Sequence, residues 1–432
     1  MRPPLANPFP PRPRTGTRRA KAATGAFRAT RAFGYAPPVP SRPADRPTES
    51  PWRLDPGLAH LNHGSFGACP EPVLAAQARW RARIETDPTG FFRHTLWPAL
   101  DRARAELAAF VGAAPEDLVF VANATAGVNV VLRSLGLGPG DELLTTDHAY
   151  GSCRRALEDT AAHRGCRVVV APVPFPLAGP EAVLEAVLDR VTPRTRVALL
   201  DHVTSPTALV FPIERLVAAL GERGIDTLVD GAHAPGMLAL DVAGLGATWY
   251  TGNCHKWLCA PRGAAFLHVR RDRQPGLRPL VVGEGRPAAG PLPPLHRAFD
   301  WPGTFDPSAW LTVPEAIRWV GAQLRGGWPA VRDRNRSLAL EARAQLCAAL
   351  GLAPPAPESM LGSMAAVPLP GGLTTARAGG PDALRDHLRD HHGVVAPVIP
   401  WPGPASWLLR VSAHLYNQPA DYARLLEALR DP

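Results

Sequence analysis

Short β-branched runs alternate with longer helical stretches from about residue 75 to residue 305. Segments such as Pro180 to Val191 and Pro212 to Arg223 carry apolar residues at three- and four-residue spacing, which indicates helices that pack on a sheet. The runs predicted as strands are Leu118 to Val121, Glu142 to Thr145, Arg167 to Val170, Val197 to Leu200, Thr227 to Val229 and Ala264 to Val269. This alternation predicts a doubly wound α/β layer structure with a mainly parallel sheet.

Beyond Asp306 the pattern changes. Two long helical segments, Pro314 to Arg325 and Pro329 to Leu350, precede a portion in which strands and helices mix. Its predicted strands are Ser363 to Leu369, Val394 to Ile399 and Trp407 to Val411, and its predicted helices are Pro381 to His391 and Pro419 to Leu429. We therefore expect a large domain over residues 76–305 and a small α+β domain over residues 306–432.

The basic charge of the chain is concentrated near its N-terminus. Residues 1–50 hold ten basic and two acidic residues together with eleven prolines, whereas the whole chain has a net charge of +9. Such a segment cannot bury enough apolar surface to fold, so we expect a disordered arm. The remainder is nearly neutral, which argues against a nucleic-acid partner.

Composition excludes two further classes. No run of about 18 apolar residues predicts a membrane span. The six cysteines are scattered without a CxxC pair, so neither a disulfide framework nor a zinc cluster is indicated. We expect a protein of the reducing cytoplasm.

Two motifs lie where a predicted strand ends. Residues 121–127 read Val-Ala-Asn-Ala-Thr-Ala-Gly, which would place Ala124 and Thr125 at a helix N-terminus that attracts phosphate. An ordinary Asn or Thr cap is the alternative. Asp230 ends the strand Thr227 to Val229, where its carboxylate could hold a pyridine nitrogen protonated or could only start a turn.

Lys256 stands between His255 and Trp257, and the chain's other lysine is Lys21 in the N-terminal arm. A lysine that forms a Schiff base must lose its proton near neutral pH, which partial burial favours. The alternative is an ordinary surface lysine, yet arginine fills that role elsewhere in the chain. A further motif, Asp147-His148-Ala149-Tyr150, follows a predicted strand and offers a flat ring for stacking.

The order and spacing of these motifs resemble the class V aminotransferase family of fold type I enzymes, over about residues 55–430. The resemblance implies pyridoxal phosphate as cofactor, bound to Lys256. It also implies that Asp230 pairs with the ring nitrogen, that His233 approaches the phenolic oxygen and that His148 stacks on the ring. The implied phosphate-side residues are Ala124, Thr125, Asn253 and His255.

Three more segments extend the resemblance. Residues 301–304, Trp-Pro-Gly-Thr, resemble a segment that reaches a partner's phosphate, which implies a homodimer with shared active sites and a role for Thr304. The strand around Arg410 resembles the site for the substrate carboxylate, with Arg410 as a bidentate clamp. Residues 51–75, including Asn62, resemble the segment that lines the substrate pocket.

The segment around Asn62 and the residues Phe91-Phe92-Arg93-His94 are most similar to the isopenicillin N epimerase branch, a shape shared with sulfur-cleaving lyases. Residues 391–397 lack the nucleophilic cysteine of cysteine desulfurases, so persulfide chemistry is not expected. His391 and His392 should diverge at a helix end without a third metal ligand, so we expect no metal there.

The resemblance therefore implies an enzyme that acts at the α-carbon of a small amino-acid-like substrate, with epimerisation favoured. A carbon–sulfur lyase, an aminotransferase and a catalytically silent regulatory protein are the alternatives. Epimerisation needs a second proton carrier, and His63, His94 and Tyr150 are candidates between which the sequence does not choose.

Overall fold

The structure is a computed structural model. It describes residues 50–287, 290–371, 380–403 and 405–430. The predicted disordered arm therefore lies, apart from its last residue, outside the described residues.

A seven-stranded sheet forms the centre of the molecule. The first strand of the chain, β1 (Ala59–His60), is not part of this sheet and pairs with Val394–Val395 instead. The central strands are β2 (Leu118–Val121), β3 (Glu142–Thr146), β4 (Arg167–Ala171), β5 (Thr195–Asp201), β6 (Asp226–Asp230), β7 (Trp249–Asn253) and β8 (Ala265–Val269). Their order is β2-β8-β7-β6-β5-β3-β4, and β8 runs antiparallel to both neighbours. The other pairs are parallel, so the predicted α/β class is confirmed.

Helices cover this sheet and continue beyond it. The longer ones are α1 (Glu71–Thr86), α2 (Leu96–Val111), α3 (Ala124–Ser134), α4 (Gly151–Arg164), α5 (Pro180–Leu188), α6 (Ile213–Gly221), α7 (Val313–Gly321), α8 (Gly327–Leu350), α9 (Gly380–Asp390) and α10 (Pro419–Arg430). Short helices occupy Pro88–Gly90, Phe91–Thr95, Pro294–Phe299 and Ser308–Leu311. None of the helices in the described ranges is long and apolar enough to cross a membrane.

The C-terminal part carries a three-stranded sheet, in which β12 (Trp407–Ser412) lies between β9 (Met364–Pro368) and β11 (Val398–Pro400). The run from Val394 to Ile399 was predicted as one strand, but it forms β10 (Val394–Val395) and β11 separately. Pro397 lies between them, and a proline has no N–H to donate to a strand ladder. β10 pairs in parallel with β1. This pairing holds the segment that follows residue 60 next to the C-terminal part of the chain.

The two sheets lie on either side of residue 305 in sequence, and the division into two domains at that residue remains a prediction. The carboxyl ends of β5, β6 and β7 meet at one edge of the central sheet, next to the start of α3. Gly127 allows α3 to approach β7 closely, because a Cβ there would lie 2.3 Å from Thr251 Oγ1. The topology thus brings the predicted motifs to one place.

Candidate active site

A cavity of about 710 Å³ opens at this edge of the central sheet. Strand ends, the start of α3 and the segment after β1 form its wall. The predicted site residues on the wall are Ala124, Thr125, Asp230, His233, Asn253, His255 and Lys256. The wall also includes three residues that were not predicted, Asp201, Ser205 and Arg262. It further includes Tyr150, a predicted candidate for the second proton carrier, and Ser65 and Phe66, which belong to the segment 51–75 that was expected to line the substrate pocket.

Lys256 directs its amine towards His233, whose Nε2 lies 3.1 Å from the lysine Nζ. Desolvation lowers the pKa of Lys256 to about 8, and the positive charge of Arg410 acts in the same direction. The carboxylate of Asp230 opposes this shift. About a tenth of the amine is therefore unprotonated at pH 7, far more than for an ordinary lysine, and the neutral amine is the form that nucleophilic chemistry requires.

Two carboxyl groups, those of Asp230 and Asp201, lie side by side and act on the charge of Lys256. Asp230 accepts hydrogen bonds from the Cys153 thiol, at 3.1 Å, and from the main-chain N–H of Ala232, at 3.0 Å. Asp201 is its register partner on β5. Burial raises the pKa of Asp201 well above its usual range, and the charge of Asp230 adds to the rise. Asp201 thus favours its protonated form at neutral pH.

Asp201 was missed, although the sequence carries a signal for it. Residues 197–201 form a hydrophobic run that ends in an aspartate, as residues 227–230 do. The second run was interpreted as a site and the first was not, because only the register between β5 and β6 shows that the two carboxyl groups are neighbours.

The start of α3 offers main-chain N–H groups to the cavity. The Asn123 side chain accepts a hydrogen bond from Ala126 N at 2.8 Å and caps the helix. Ala124 N donates to the Asn253 side chain, also at 2.8 Å, which ties the helix to the end of β7. His255 donates from Nδ1 to the main-chain oxygen of Ala264, and burial lowers its pKa to about 4, so its ring is neutral. This end of the cavity suits an anion.

His148 is not where the resemblance implies. Its ring is buried away from the cavity wall, where it contacts Trp401 and Phe211. Both ring nitrogens are engaged, at 2.7 Å from Thr207 Oγ1 and 3.0 Å from the main-chain oxygen of Val173. Tyr150, two residues later, lines the cavity and is 43% exposed. Within this motif the ring that reaches the cavity is therefore Tyr150 and not His148, because the chain turns between the two residues.

Arg410 lies just behind the wall and is 1% exposed. Its guanidinium donates to Ser65 Oγ at 2.6 Å, to the main-chain oxygen of Ser205 at 2.5 Å and, more weakly, to Asn62 Oδ1 at 3.5 Å. Burial lowers its pKa to about 10, which still leaves it charged at neutral pH. Asn62 and Arg410 are thus together, with Ser65 between Arg410 and the cavity.

Thr304 is exposed and does not line the cavity. The expectation that it serves a second copy of the chain stays a prediction.

Behind Lys256, the structure brings His63, Cys259 and His414 together, a group that sequence reasoning did not predict. His63 donates from Nε2 to the main-chain oxygen of Lys256 at 3.1 Å, and it stacks on His414 with ring centroids 4.1 Å apart and planes at 14°. The other ring nitrogen of His63, Nδ1, lies 2.9 Å from the Tyr416 hydroxyl, so His63 has no free lone pair for an ion. These side chains instead hold the turn that follows the lysine.

The paired histidines that follow α9, His391 and His392, also have an unpredicted neighbour. His392 Nε2 lies 3.2 Å from Nε2 of His387, one turn earlier in the helix. The expectation that no third potential ligand lies near His391 and His392 was wrong, because the ring of His387, in the last turn of α9, contacts the rings of both.

The model of the aminotransferase class-V family matches residues 90–380. The chain belongs to this family. It is 40% identical to the isopenicillin N epimerase of Amycolatopsis lactamdurans, over 88% of this chain and 96% of that protein. It is also 29% identical to the L-cysteine desulfhydrase of Arabidopsis thaliana, over 87% of this chain and 88% of that protein.

Among solved structures, the cystine C-S lyase C-DES in complex with cysteine persulfide is similar, with a TM-score of 0.73 and 20% identity over 87% of this chain and 97% of that one. This likeness shows the fold type. As a class V chain, the protein is a pyridoxal-phosphate enzyme. The cavity suits this cofactor, because a buried amine, a carboxylate and a helix N-terminus all line it.

Proposed function

We propose that Lys256 is the residue that binds pyridoxal phosphate and that the enzyme acts at the α-carbon of an amino acid, as an epimerase. The observation that supports this most directly is the Lys256 amine, which has a pKa lowered to about 8 and faces both His233 and the carboxylate pair. No other described side chain on the cavity wall offers an amine.

The remaining wall would hold the two ends of the cofactor. Asp230, fixed by Cys153 and Ala232, would face the ring nitrogen with a negative charge, and Tyr150, which lines the same cavity, would contact the ring face. Ala124, Thr125, Asn253 and His255 would surround the phosphate at the start of α3. When bound, pyridoxal phosphate withdraws electrons from the α-carbon of an attached amine.

Arg410 is the proposed partner of the substrate carboxylate. Its charge is held at the wall by Ser65 and Ser205, and a carboxylate that displaced Ser65 would meet a buried guanidinium with two adjacent N–H groups. Charge-assisted pairs in such surroundings are strong and directional. The pair would fix the substrate so that its α-proton points towards Lys256.

Lys256 would then accept the α-proton as a base, because burial lowers the pKa of its amine and makes the neutral form accessible near neutral pH. Epimerisation needs a proton from the opposite face. Tyr150 lines the cavity, whereas His63 is fully buried and both its ring nitrogens are bonded. Of the predicted candidates, the geometry therefore favours Tyr150.

The reaction type rests on similarity of sequence. Two isopenicillin N epimerases are 40% and 36% identical to this chain over most of their lengths, which supports the epimerase. A carbon–sulfur lyase is the second candidate, supported by the L-cysteine desulfhydrase at 29% identity. Both would begin with the same proton transfer to Lys256.

The test is incubation of the full chain and its cofactor with L- and D-amino acids and cysteine conjugates in deuterated water. An epimerase will place deuterium on the α-carbon of both enantiomers and retain the carbon skeleton. Stoichiometric pyruvate and sulfide would instead establish the lyase, and an oxo acid with the amine form of the cofactor would establish an aminotransferase. No change in any substrate would favour a silent regulatory protein.

A further inference from the structure

Three side chains form a hydrogen-bonded chain that ends at the Lys256 amine. The indole Nε1 of Trp257 lies 3.3 Å from Nδ1 of His233, and Nε2 of the same imidazole lies 3.1 Å from Lys256 Nζ. Trp257 and His233 are 1% and 3% exposed, so water does not compete for the contact between their rings, whereas the contact with Lys256 lies at the cavity wall.

The position of the proton on the His233 ring can be assigned from the hydrogen-bond donors around it. An indole N–H can only donate, so His233 Nδ1 must accept and carries no proton. Burial lowers the pKa of His233 well below its usual range, and the charges of Lys256 and Arg410 lower it further, so the ring is neutral. The single ring proton is therefore on Nε2, and it points at Lys256 Nζ.

We propose that Trp257 is a positioning residue, whose indole N–H holds His233 in the tautomer with the proton on Nε2, so that His233 donates to Lys256 and favours its free amine. This inference rests on the role proposed above for Lys256. It adds a function for Trp257 that neither the family match nor the names of the relatives assign.

The opposite tautomer would have the opposite effect. A bare Nε2 would accept a hydrogen bond from the lysine ammonium and would stabilise its charged form. Four other charged or titratable groups face the amine: Asp201 on β5, Asp230 on β6, Cys153 on α4 and Arg410 on β12. Their charges do not depend on which tautomer His233 adopts. His63 also faces the imidazole, and its ring is neutral because burial lowers its pKa. The tautomer of His233 is thus the variable that Trp257 controls.

The test compares Trp257→Phe with a matched control, Trp249→Phe. Phenylalanine keeps an aromatic ring and removes only the N–H. Trp249 is also buried, but its indole N–H has no hydrogen-bond partner among the described residues. Two measurements are made on the full chain freed of cofactor: the ¹⁵N chemical shifts of His233, and the rate of pyridoxal phosphate capture as a function of pH.

We expect the wild-type protein and Trp249→Phe to show one tautomer, with the proton on Nε2. In Trp257→Phe the two tautomers should mix, and the capture profile should move to higher pH by half a unit or more. Such a shift makes capture about threefold slower at neutral pH, since one pKa unit is a factor of ten in the free-amine fraction.

A bare Nε2 in the wild-type protein would overturn the proposal, and this measurement needs no variant to fold. An unchanged tautomer in Trp257→Phe, or an equal shift in Trp249→Phe, would overturn it as well. A different result would refute the proposed role of Lys256. If Lys256→Ala bound pyridoxal phosphate with the wild-type visible band, that role would be refuted, whereas the ¹⁵N result on His233 would stand.

Discussion

The Lys256 side chain is the residue on which the proposed chemistry depends. Lys256→Ala should abolish turnover of any accepted substrate and remove the visible absorbance of the bound cofactor, because both need the amine. Circular dichroism should be unchanged, since the lysine Nζ makes one hydrogen bond within the described part of the chain, to His233. Turnover and spectrum are measured on the same preparation, and residual turnover near the wild-type rate would end the assignment.

The cysteine side chains predict how the enzyme treats sulfur. Burial raises the pKa of each of the six thiols, to about 12 for Cys69, and only a thiolate is a good nucleophile. We therefore expect no protein persulfide after incubation with free cysteine, as intact-protein mass spectrometry would show. A mass gain of one sulfur atom that reducing agent removes would contradict this expectation.

Iodoacetamide should likewise leave the chemical step largely intact at neutral pH. Cys254 is the position to control, because it lies two residues before Lys256 and an adduct there would fill space next to the cavity. If alkylation inactivates the wild-type enzyme but not Cys254→Ala, the loss is steric.

Among the helices, α3 is the one whose placement the cofactor site requires. Gly127→Ala in a helix interior ordinarily stabilises a protein by about 0.5–1 kcal/mol. Here the new Cβ would lie 2.3 Å from Thr251 Oγ1, so α3 must shift away from β7. We expect weaker binding of pyridoxal phosphate, measured by fluorescence titration. Gly221→Ala is the control, because a Cβ at that helical glycine meets nothing within 4 Å.

A buried ion pair joins α2 to the segment after the short helix Pro294–Phe299. Arg104 and Asp300 are 1% and 2% exposed, and their nearest N and O atoms are 2.5 Å apart. Asp300→Ala should lower the free energy of unfolding by about 3 kcal/mol, because the buried guanidinium of Arg104 loses its buried carboxylate and keeps only the partly exposed Asp101, at 3.3 Å, as an acidic partner. Thermal unfolding measures the effect.

The control for this variant is Glu181→Ala, which breaks the exposed pair with Arg215. Exposed pairs contribute little in water. The thermal midpoint of Glu181→Ala should therefore match that of the wild type, and equal losses in the two variants would show that burial does not matter here.

At the level of elements, patterns local in the chain predicted most of the fold. The strand β7 was missed because Trp249–Asn253 shows no alternation of apolar and polar residues and contains a glycine, yet it is buried on both faces. Lys256 and Asp230 were recognised because the motif that marks each of them consists of its immediate neighbours in the sequence. The position of Tyr150 on the wall and the pairing of Asp201 with Asp230 depend on turns and strand register, which link residues far apart in the chain.

At the scale of the whole molecule, we expect the enzyme to be a homodimer. Leu280, Val281 and Val282 form an exposed apolar run, with Val282 78% exposed, in the stretch that leads to Thr304. A second copy that covers these residues would remove apolar surface from water. Light scattering should give twice the mass of one chain, and a fully active monomer would refute the expectation.

A further experiment distinguishes a dimer whose active sites combine residues of both copies from a dimer whose active sites are independent. If Thr304 of each copy completes the site of the other, Lys256→Ala and Thr304→Ala homodimers are both impaired. In a hybrid of the two, one site combines the intact Lys256 of one copy with the intact Thr304 of the other. Unfolding and refolding an equal mixture should then restore up to about a quarter of wild-type activity, because half the dimers are hybrids with one complete site each. If Thr304 serves its own chain instead, every hybrid site carries one of the two substitutions and mixing will restore nothing.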